Sequence, residues 1–180
     1  MIVTLPRLFA LAALAVLPGL ASAQSLPEDA YLRAFGGATA AIDGGSVSGA
    51  SGGVALGYRF PNTSAWRVEA EIARRMPDGS GGSQKSTSLM MNALRDIAPL
   101  GPAMLYAGAG IGAIKIEESA GGVSDSDTQA VGQIILGAEF PLSASTDLSV
   151  ETRYINAGDL PVSDGDAEWV DVSAGLVFSF

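Results

Sequence analysis

Apolar and polar residues alternate with a period of two along most of the chain beyond residue 23. Residues 66–73, WRVEAEIA, show the pattern most clearly: Trp66 and Ile72 share one parity, whereas Arg67 and Glu71 share the other. Successive side chains of a β-strand point to opposite faces. No stretch after residue 23 keeps the spacing of an amphipathic helix over a useful length. The pattern therefore predicts an all-β fold.

Eight alternating segments, each of ten to fourteen residues, follow one another at residues 30–39, 50–60, 66–75, 87–96, 103–116, 128–140, 146–156 and 168–180. Strands of globular proteins usually have about 5–6 residues, whereas a tilted strand that crosses a bilayer needs about 9–11. The connections alternate between short turns, at residues 61–65, 97–102 and 141–145, and longer Gly-, Ser- and Asp-rich loops, at residues 40–49, 76–86, 117–127 and 157–167.

Short periplasmic turns and longer outer loops are typical of outer-membrane barrels. We therefore predict an eight-stranded antiparallel up-and-down transmembrane β-barrel over residues 24–180, with both mature termini on the periplasmic side. A soluble β-sandwich also alternates, and parity by itself does not tell which residue set forms the interior. A soluble periplasmic β-protein is thus the alternative fold.

The first 23 residues have the pattern of a cleaved signal peptide. Arg7 lies in a short n-region, residues 8–20 are apolar, and Ala21-Ser22-Ala23 fits a small-residue cleavage site. The apolar run is too short for a membrane-spanning helix, which needs about 20 residues. We expect the mature chain to begin at Gln24.

Most aromatic residues lie near strand ends in this topology. Such rings favour the headgroup zone, and girdles of them are expected at both membrane interfaces. The periplasmic set is Tyr31, Tyr58, Phe60, Trp66, Tyr106, Phe140, Phe178 and Phe180, and the outer set is Tyr154 and Trp169.

Several segments resemble a known family. Residues 53–61 (GVALGYRFP), 68–71 (VEAE), 105–112 (LYAGAGIG) and 174–180 (AGLVFSF) look like strands of the small eight-stranded outer-membrane β-barrels of Gram-negative bacteria, the OmpA-type and opacity-type porin-like domains. The resemblance implies location in the outer membrane of the cell envelope, amid lipid and lipopolysaccharide. It also implies that the barrel-assembly machinery reads the last strand through Leu176, Phe178 and Phe180.

Composition excludes several function classes. The chain has no Cys and no His, which removes thiol nucleophiles, histidine bases and histidine-ligated zinc. A formal net charge of −9 argues against binding to nucleic acid. We expect no enzymatic activity, since the lipid-modifying enzymes built on small barrels rely on a His.

The predicted inward parity collects a polar network. Four arginines and five carboxylates belong to it, and buried charges must be paired because desolvation costs several kcal/mol per ion. Eight strands leave an interior that side chains just fill, which favours a salt-bridged plug over a narrow gated pore. The network is Arg33, Arg59, Arg67, Glu69, Glu71, Gln133, Glu139, Glu151, Arg153 and Asp171, with Asn92 at the same parity.

Two motifs have weak ligand-binding character, and neither leads us to expect a cofactor. Residues 108–113, GAGIGA, match a loose dinucleotide loop but no helix follows, so these glycines are expected to make room inside a narrow barrel. Asp164, Asp166 and Glu168 are spaced like the opening of a calcium loop that lacks its later ligands. A solvated acidic loop is the simpler reading, and a weak divalent site is the alternative.

The sequence thus predicts a monomeric outer-membrane barrel with a structural or surface-interaction role and acidic extracellular loops. The alternative function is a narrow, porin-like passive channel for small solutes or ions.

Overall fold

The computed structural model describes residues 27–42, 48–62, 65–79, 82–120, 123–157 and 168–180. Eight antiparallel strands form one closed barrel in chain order. They are β1 Ala30–Ala41, β2 Ser48–Arg59, β3 Trp66–Gly79, β4 Gly82–Leu100, β5 Ala103–Ala120, β6 Val123–Pro141, β7 Thr146–Asn156 and β8 Glu168–Ser179. The predicted fold class is confirmed. The predicted signal peptide, residues 1–23, lies outside the described residues.

Closure joins the first strand to the last. The pairing of β1 with β8 runs from Tyr31 opposite Ser179 to Ala41 opposite Trp169, and the Phe180 N–H donates to the Ala30 carbonyl at 3.2 Å. In hydrocarbon, a sheet has to close because water is not there to satisfy backbone groups along an edge. No described residue belongs to a helix of the length and apolarity that a membrane span requires.

The direction of the side chains distinguishes this barrel from a soluble β-protein. The apolar set points outward: Ile111 is 70% exposed and Leu89 is 64% exposed. The charged set points inward, with Arg33 and Glu69 each 1% exposed. A soluble sandwich would bury the first set and expose the second. A barrel that is surrounded by lipid requires this inverted arrangement of apolar and charged side chains.

Two of the predicted outer loops are largely strand. Residues 76–86 and 117–127 were expected to form loops, yet β3 continues to Gly79, β4 begins at Gly82, β5 continues to Ala120 and β6 begins at Val123. The backbone ladder continues here after the apolar alternation ends, because paired strands satisfy each other's N–H and C=O groups. As a result, β4 has 19 residues, β5 has 18 and β6 has 19, well beyond what a bilayer span needs.

The predicted turn at residues 97–102 is also shorter in the structure. Strand β4 continues to Leu100 through a β-bulge between Asp96 and Ala98. Only Gly101 and Pro102 remain as the turn, and Gly101 has a φ of 59°, a conformation that glycine adopts without steric cost.

Three aromatics that were expected in the interfacial girdles lie inside the barrel instead. Tyr31 is 0% exposed, Tyr106 is 1% exposed and Trp169 is 3% exposed. Each has the inward parity of its strand, so its height near a strand end does not bring it to the lipid.

Inward-facing glycines stand directly across from several bulky inward side chains. Tyr31 pairs with Gly57, and Tyr106 pairs with Gly137. A Cβ on Gly57 would lie 2.1 Å from Cζ of Tyr31, and one on Gly137 would lie 2.3 Å from Cζ of Tyr106. The same relation holds for Gly53 and Gly175 with Phe35, Gly108 with Leu94, Gly110 with Asn92 and Gly112 with Met90. These glycines therefore make room in the narrow lumen for the side chains that face them.

Replacing Gly137 by Val should destabilise the barrel by about 1–3 kcal/mol, the usual cost of overpacking, because the new side chain overlaps the Tyr106 ring. Gly132→Val on the same strand is the matched control, since the nearest atom to its Cβ is 3.9 Å away. Urea unfolding in lipid vesicles, followed by tryptophan fluorescence, measures both. Equal losses for the two variants would contradict the packing argument.

Candidate functional site

The centre of the barrel holds a network of two arginines and three glutamates from three strands. Arg33 of β1 donates from Nη2 to Glu69 Oε2 at 2.8 Å and to Glu71 Oε2 at 3.0 Å, and from Nη1 to Glu151 Oε2 at 2.8 Å. Arg153 of β7 donates to Glu71 Oε1 at 2.6 Å and to Glu151 Oε2 at 2.5 Å. Because β3 and β7 stand on opposite sides of the eight-strand ring, these bonds cross its full width.

Neutral donors complete the coordination of the three carboxylates. The Tyr31 hydroxyl donates to Glu69 Oε1 at 2.8 Å, and the Tyr106 hydroxyl donates to Glu151 Oε1 at 2.6 Å. The Asn92 amide donates to Glu71 Oε2 at 3.3 Å. These bonds stabilise the one negative charge by which the central glutamates exceed the two arginines. On the far side of Asn92, the Gln133 amide donates to Asn92 Oδ1 at 2.7 Å.

The two central arginines also share an aromatic platform. The guanidinium of Arg33 lies 4.6 Å from the ring centroid of Phe35, and that of Arg153 lies 4.7 Å from the same centroid. Cation–π contacts of this kind are worth about 2 kcal/mol when they are desolvated. Phe35 thus holds the two like charges in fixed positions between their carboxylate partners.

A second layer of charge lies toward the end of the barrel that carries the short turns. Glu139 of β6 accepts hydrogen bonds from Arg67 and from Arg59, the latter at 3.1 Å. The guanidinium of Arg67 stacks 4.2 Å from the ring centroid of Tyr106, and that of Arg59 lies 4.7 Å from the centroid of Tyr31. The tyrosines therefore connect this layer to the central network, since their hydroxyls bond to the central glutamates.

Arg75 and Asp171 form a third ion pair toward the opposite end, at 2.8 Å. Arg75 also donates to Ser88 Oγ at 3.0 Å. Among the described atoms of this layer, Arg75 Nη2, Asp171 Oδ1, Thr39 Oγ1 and Ser51 Oγ are buried without a hydrogen-bond partner, and so are Nε and Nη2 of Arg67 in the second layer. This layer is consequently less completely satisfied than the central network.

The buried charges of the three layers balance. Five arginines and five carboxylates form the close ion pairs, and only Arg59 among them is substantially exposed, at 33%. A sixth carboxylate, Asp96, is 25% exposed and lies 3.9 Å from Arg67 Nη2. The arginines are Arg33, Arg59, Arg67, Arg75 and Arg153, and the carboxylates are Glu69, Glu71, Glu139, Glu151 and Asp171. A neutral interior is the arrangement that a low-dielectric space tolerates, since an excess charge there costs several kcal/mol.

An apolar cluster lies beside the third ion pair. Along β7 the inward positions pass from Glu151 and Arg153 to Ile155 and Ala157, so the cluster is farther along the barrel than the central network. Trp169 of β8 packs into it and is 3% exposed. The cluster consists of Met90, Ile114, Val131, Ile155, Ala157 and Trp169. Polar and apolar side chains together therefore fill this end of the lumen.

The arrangement offers little for catalysis. Glu69 and Glu71 are each 1% exposed and tied to Arg33, so a substrate would have to displace an ion pair to reach them. Gly108, Gly110 and Gly112 lie on strand β5 opposite Leu94, Asn92 and Met90, where they accommodate these side chains.

The weak metal candidates fall partly outside the described residues, since Asp164 and Asp166 are both beyond them. Glu168 begins β8 and accepts hydrogen bonds from the Tyr154 hydroxyl at 2.5 Å and the Asn156 amide at 2.9 Å. In the part of the chain that the structure describes, no three acidic residues come together to hold a metal ion.

Three interior residues were missing from the polar network predicted from the sequence, although their parity along the strands could have identified them. Arg75 has the parity of Arg67 and Glu71 on β3, and it pairs with Asp171. Tyr31 has the parity of Arg33, and Tyr106 has that of the inward glycines of β5. The proposed assembly residues of β8 lie on the outer wall, where Leu176 is 37% exposed, Phe180 is 48% exposed and Phe178 is half-buried.

Replacing Arg33 by Met should cost about 3–5 kcal/mol of unfolding free energy, because it leaves three buried glutamates with one arginine. Arg95→Met is the matched control: its guanidinium lies 5.6 Å from the centroid of the outward-facing Trp66 ring, and such exposed contacts are worth about 1 kcal/mol or less. Chemical unfolding of both variants in micelles makes the comparison. A loss at Arg33 no larger than at Arg95 would refute the importance of the network.

Known structures share this architecture. Neisserial surface protein A matches with a TM-score of 0.73 and 22% identity, over 84% of this chain and 97% of that one. The N-terminal barrel of Pseudomonas aeruginosa OprF matches with a TM-score of 0.58 and 16% identity, over 84% and 96%. Ail, the attachment invasion locus protein of Yersinia pestis, matches with a TM-score of 0.53 and 17% identity, over 84% and 97%. These likenesses establish the fold.

No curated protein matches the chain in sequence. The family model described as outer membrane protein beta-barrel domain matches residues 9–180, which is nearly the whole chain and includes every strand. The expected family is thereby confirmed: with a closed eight-stranded barrel, a lipid-facing apolar wall and a charged interior, the protein belongs to the outer membrane β-barrel domain family.

Proposed function

We propose that this protein is a non-conducting barrel of the outer membrane with a structural and surface-interaction role. The observation that carries the proposal is the central network, in which Arg33, Glu71 and Arg153 link β1, β3 and β7 by bonds of 2.6–3.0 Å. Bonds that cross the lumen at these distances leave no room between them for a hydrated ion. The apolar cluster around Trp169 adds a second obstruction.

The proposed orientation has both chain ends in the periplasm. The β3–β4 and β5–β6 hairpins extend at one end of the barrel, whereas the other end carries short connections, at residues 101–102 and 142–145. Bacterial outer-membrane barrels have their short turns in the periplasm. In this orientation the long hairpins project from the cell, and Glu117 and Asp127 of the β5–β6 hairpin are exposed. An acidic surface of this kind favours cationic or cation-bridged contacts.

The proposed role is non-enzymatic and monomeric. The carboxylates that could act in acid–base chemistry are engaged by Arg33 and Arg153, and the chain has neither His nor Cys to serve as base or nucleophile. The resemblance to small outer-membrane barrels further supports recognition of Leu176, Phe178 and Phe180 by the assembly machinery during insertion. Once the barrel has inserted, its surroundings are outer-membrane lipid and lipopolysaccharide.

The alternative is a narrow passive channel, which the polar lining of the lumen favours. Conductance in planar lipid bilayers separates the two functions. The purified barrel should give a current no greater than that of the protein-free bilayer in 1 M potassium chloride, because the ion pairs fill the lumen. A wide porin that inserts into the same bilayer serves as the positive control. Reproducible single-channel steps from the folded barrel would contradict the structural role and support the channel.

A further inference from the structure

We propose that the outer wall of β3, β4 and β5 carries a binding site for the phosphate group of an anionic lipid of the outer leaflet, formed by Arg74, Lys85 and Lys115. The proposal deepens the structural role and rests on the orientation proposed above.

The distribution of cationic side chains points to this wall. Five of the nine described Lys and Arg residues lie inside the barrel, and three of the other four, Arg74, Lys85 and Lys115, are exposed on adjacent strands. Thr87 of β4 is paired with Arg74 on one side and with Lys115 on the other. Lys85 lies two residues from Thr87, on the same face of β4. Adjacent strands are about 4.8 Å apart, so the backbone positions of Arg74 and Lys115 are about 10 Å apart across Thr87, and side chains of this length can reach one phosphate group between them.

The three cations also act together on one carboxylate, that of Glu117. Lys115 Nζ lies 2.8 Å from Glu117 Oε1, and both side chains are about half exposed, at 51% and 49%. The hydrogen bond from Lys115, its charge and the charges of Arg74 and Lys85 hold the pKa of Glu117 below its ordinary value. Glu117 is the acidic neighbour that competes with a phosphate for Lys115, and the cluster retains an excess of two positive charges beside it.

An apolar groove lies directly beneath the cations. It has a volume of about 350 Å³ and is lined by Ile72, Thr87, Ser88, Leu89, Ala113, Lys115 and Thr128. Ile72 is 50% exposed and Leu89 is 64% exposed, so their side chains face the acyl chains of the bilayer. Thr87, Lys115 and Thr128 form the polar margin. Along the same three strands the wall thus changes from hydrocarbon-facing to cationic.

An apolar groove that adjoins a group of cations is complementary to an amphiphile with a phosphate head. An acyl chain fits against Ile72 and Leu89 while the phosphate accepts hydrogen bonds from Lys115 and Arg74, and Lys and Arg are the usual protein partners of phosphate. A soluble anion would leave the groove unfilled, whereas an acyl chain matches the exposed apolar side chains of Ile72 and Leu89. The order of the groove and the cations therefore favours a lipid.

The test compares two forms of lipid A with identical acyl chains, one with both phosphates and one dephosphorylated. Each is titrated into the full barrel in phosphatidylcholine nanodiscs, and native mass spectrometry counts the bound lipid. The site variant is Arg74→Gln/Lys85→Gln/Lys115→Gln. Arg95→Gln is the matched control, because it removes an outward cation at the other end of the barrel. Glu117→Gln removes the competing carboxylate. Heat-modifiable migration on a gel verifies that every variant is folded.

The wild type should bind the phosphorylated form at least about tenfold more tightly than the dephosphorylated one, given the attraction that each cation near an anionic lipid surface contributes. The triple variant should lose this preference, Arg95→Gln should retain it, and Glu117→Gln should bind as tightly as the wild type or more tightly. Equal binding of the two forms by the wild type, or an unchanged preference in the triple variant, overturns the proposal. Displacement of the lipid by inorganic phosphate at equal concentration also overturns it, since the site would then recognise a free anion.

Failure of the orientation would give a different result. Protease added to intact cells should cleave a site inserted between Gly79 and Gly82 if that hairpin projects from the cell. If cleavage occurs and the lipid preference is absent, the lipid site alone is wrong. If cleavage requires a permeabilised outer membrane, the proposed orientation is wrong, and the cations face the inner leaflet, which overturns the outer-leaflet site as well.

Discussion

The narrowness of an eight-stranded barrel is the constraint on which the rest of this structure depends. A closed ring of this size has an interior that side chains alone can fill. Large inward residues therefore need space from their neighbours, and the structure supplies it by pairing Tyr31 with Gly57 and Tyr106 with Gly137. The same tyrosines donate to Glu69 and Glu151. Steric fit and charge satisfaction thus depend on the same side chains.

Charge balance follows from the same constraint. Five arginines and five buried carboxylates neutralise one another inside the barrel, so the formal net charge of −9 comes from other residues, the partly exposed Asp96 among them. Breaking a buried pair is costly because the remaining partner stays desolvated. Since bonds run between β1, β3 and β7, the network braces opposite walls against each other. A rigid, closed interior is the physical basis of the proposed structural role.

The strand number and the facing of residues could be predicted from the sequence, because a period of two is a local property of the chain. The segment with Arg67, Glu69 and Glu71 shows it most clearly. The outer ends of β3 to β6 could not be predicted, since the backbone hydrogen bonds of a hairpin continue wherever a neighbouring strand is available, with or without apolar alternation. The pairing of Arg33 with Glu151, which are 118 residues apart, could not be predicted either. Strand register decides which inward residues lie at the same height in the barrel. Parity could also have placed Tyr31 and Tyr106 inside the barrel, but their positions near strand ends led to their assignment to an interfacial girdle.

Solvent access to the interior tests the central claim most directly. The chain has no Cys, so single cysteines can be placed at Ser149 and Ala73, which are 1% and 3% exposed inside the barrel, and at Ser145 in an exposed turn. A small cationic methanethiosulfonate reagent is then added to the folded barrel in vesicles open to the reagent on both sides. A filled lumen predicts rapid labelling of Ser145→Cys and labelling of the two interior cysteines only after urea unfolding. Labelling of Ser149→Cys and Ala73→Cys in the folded barrel at the rate of Ser145→Cys would contradict it.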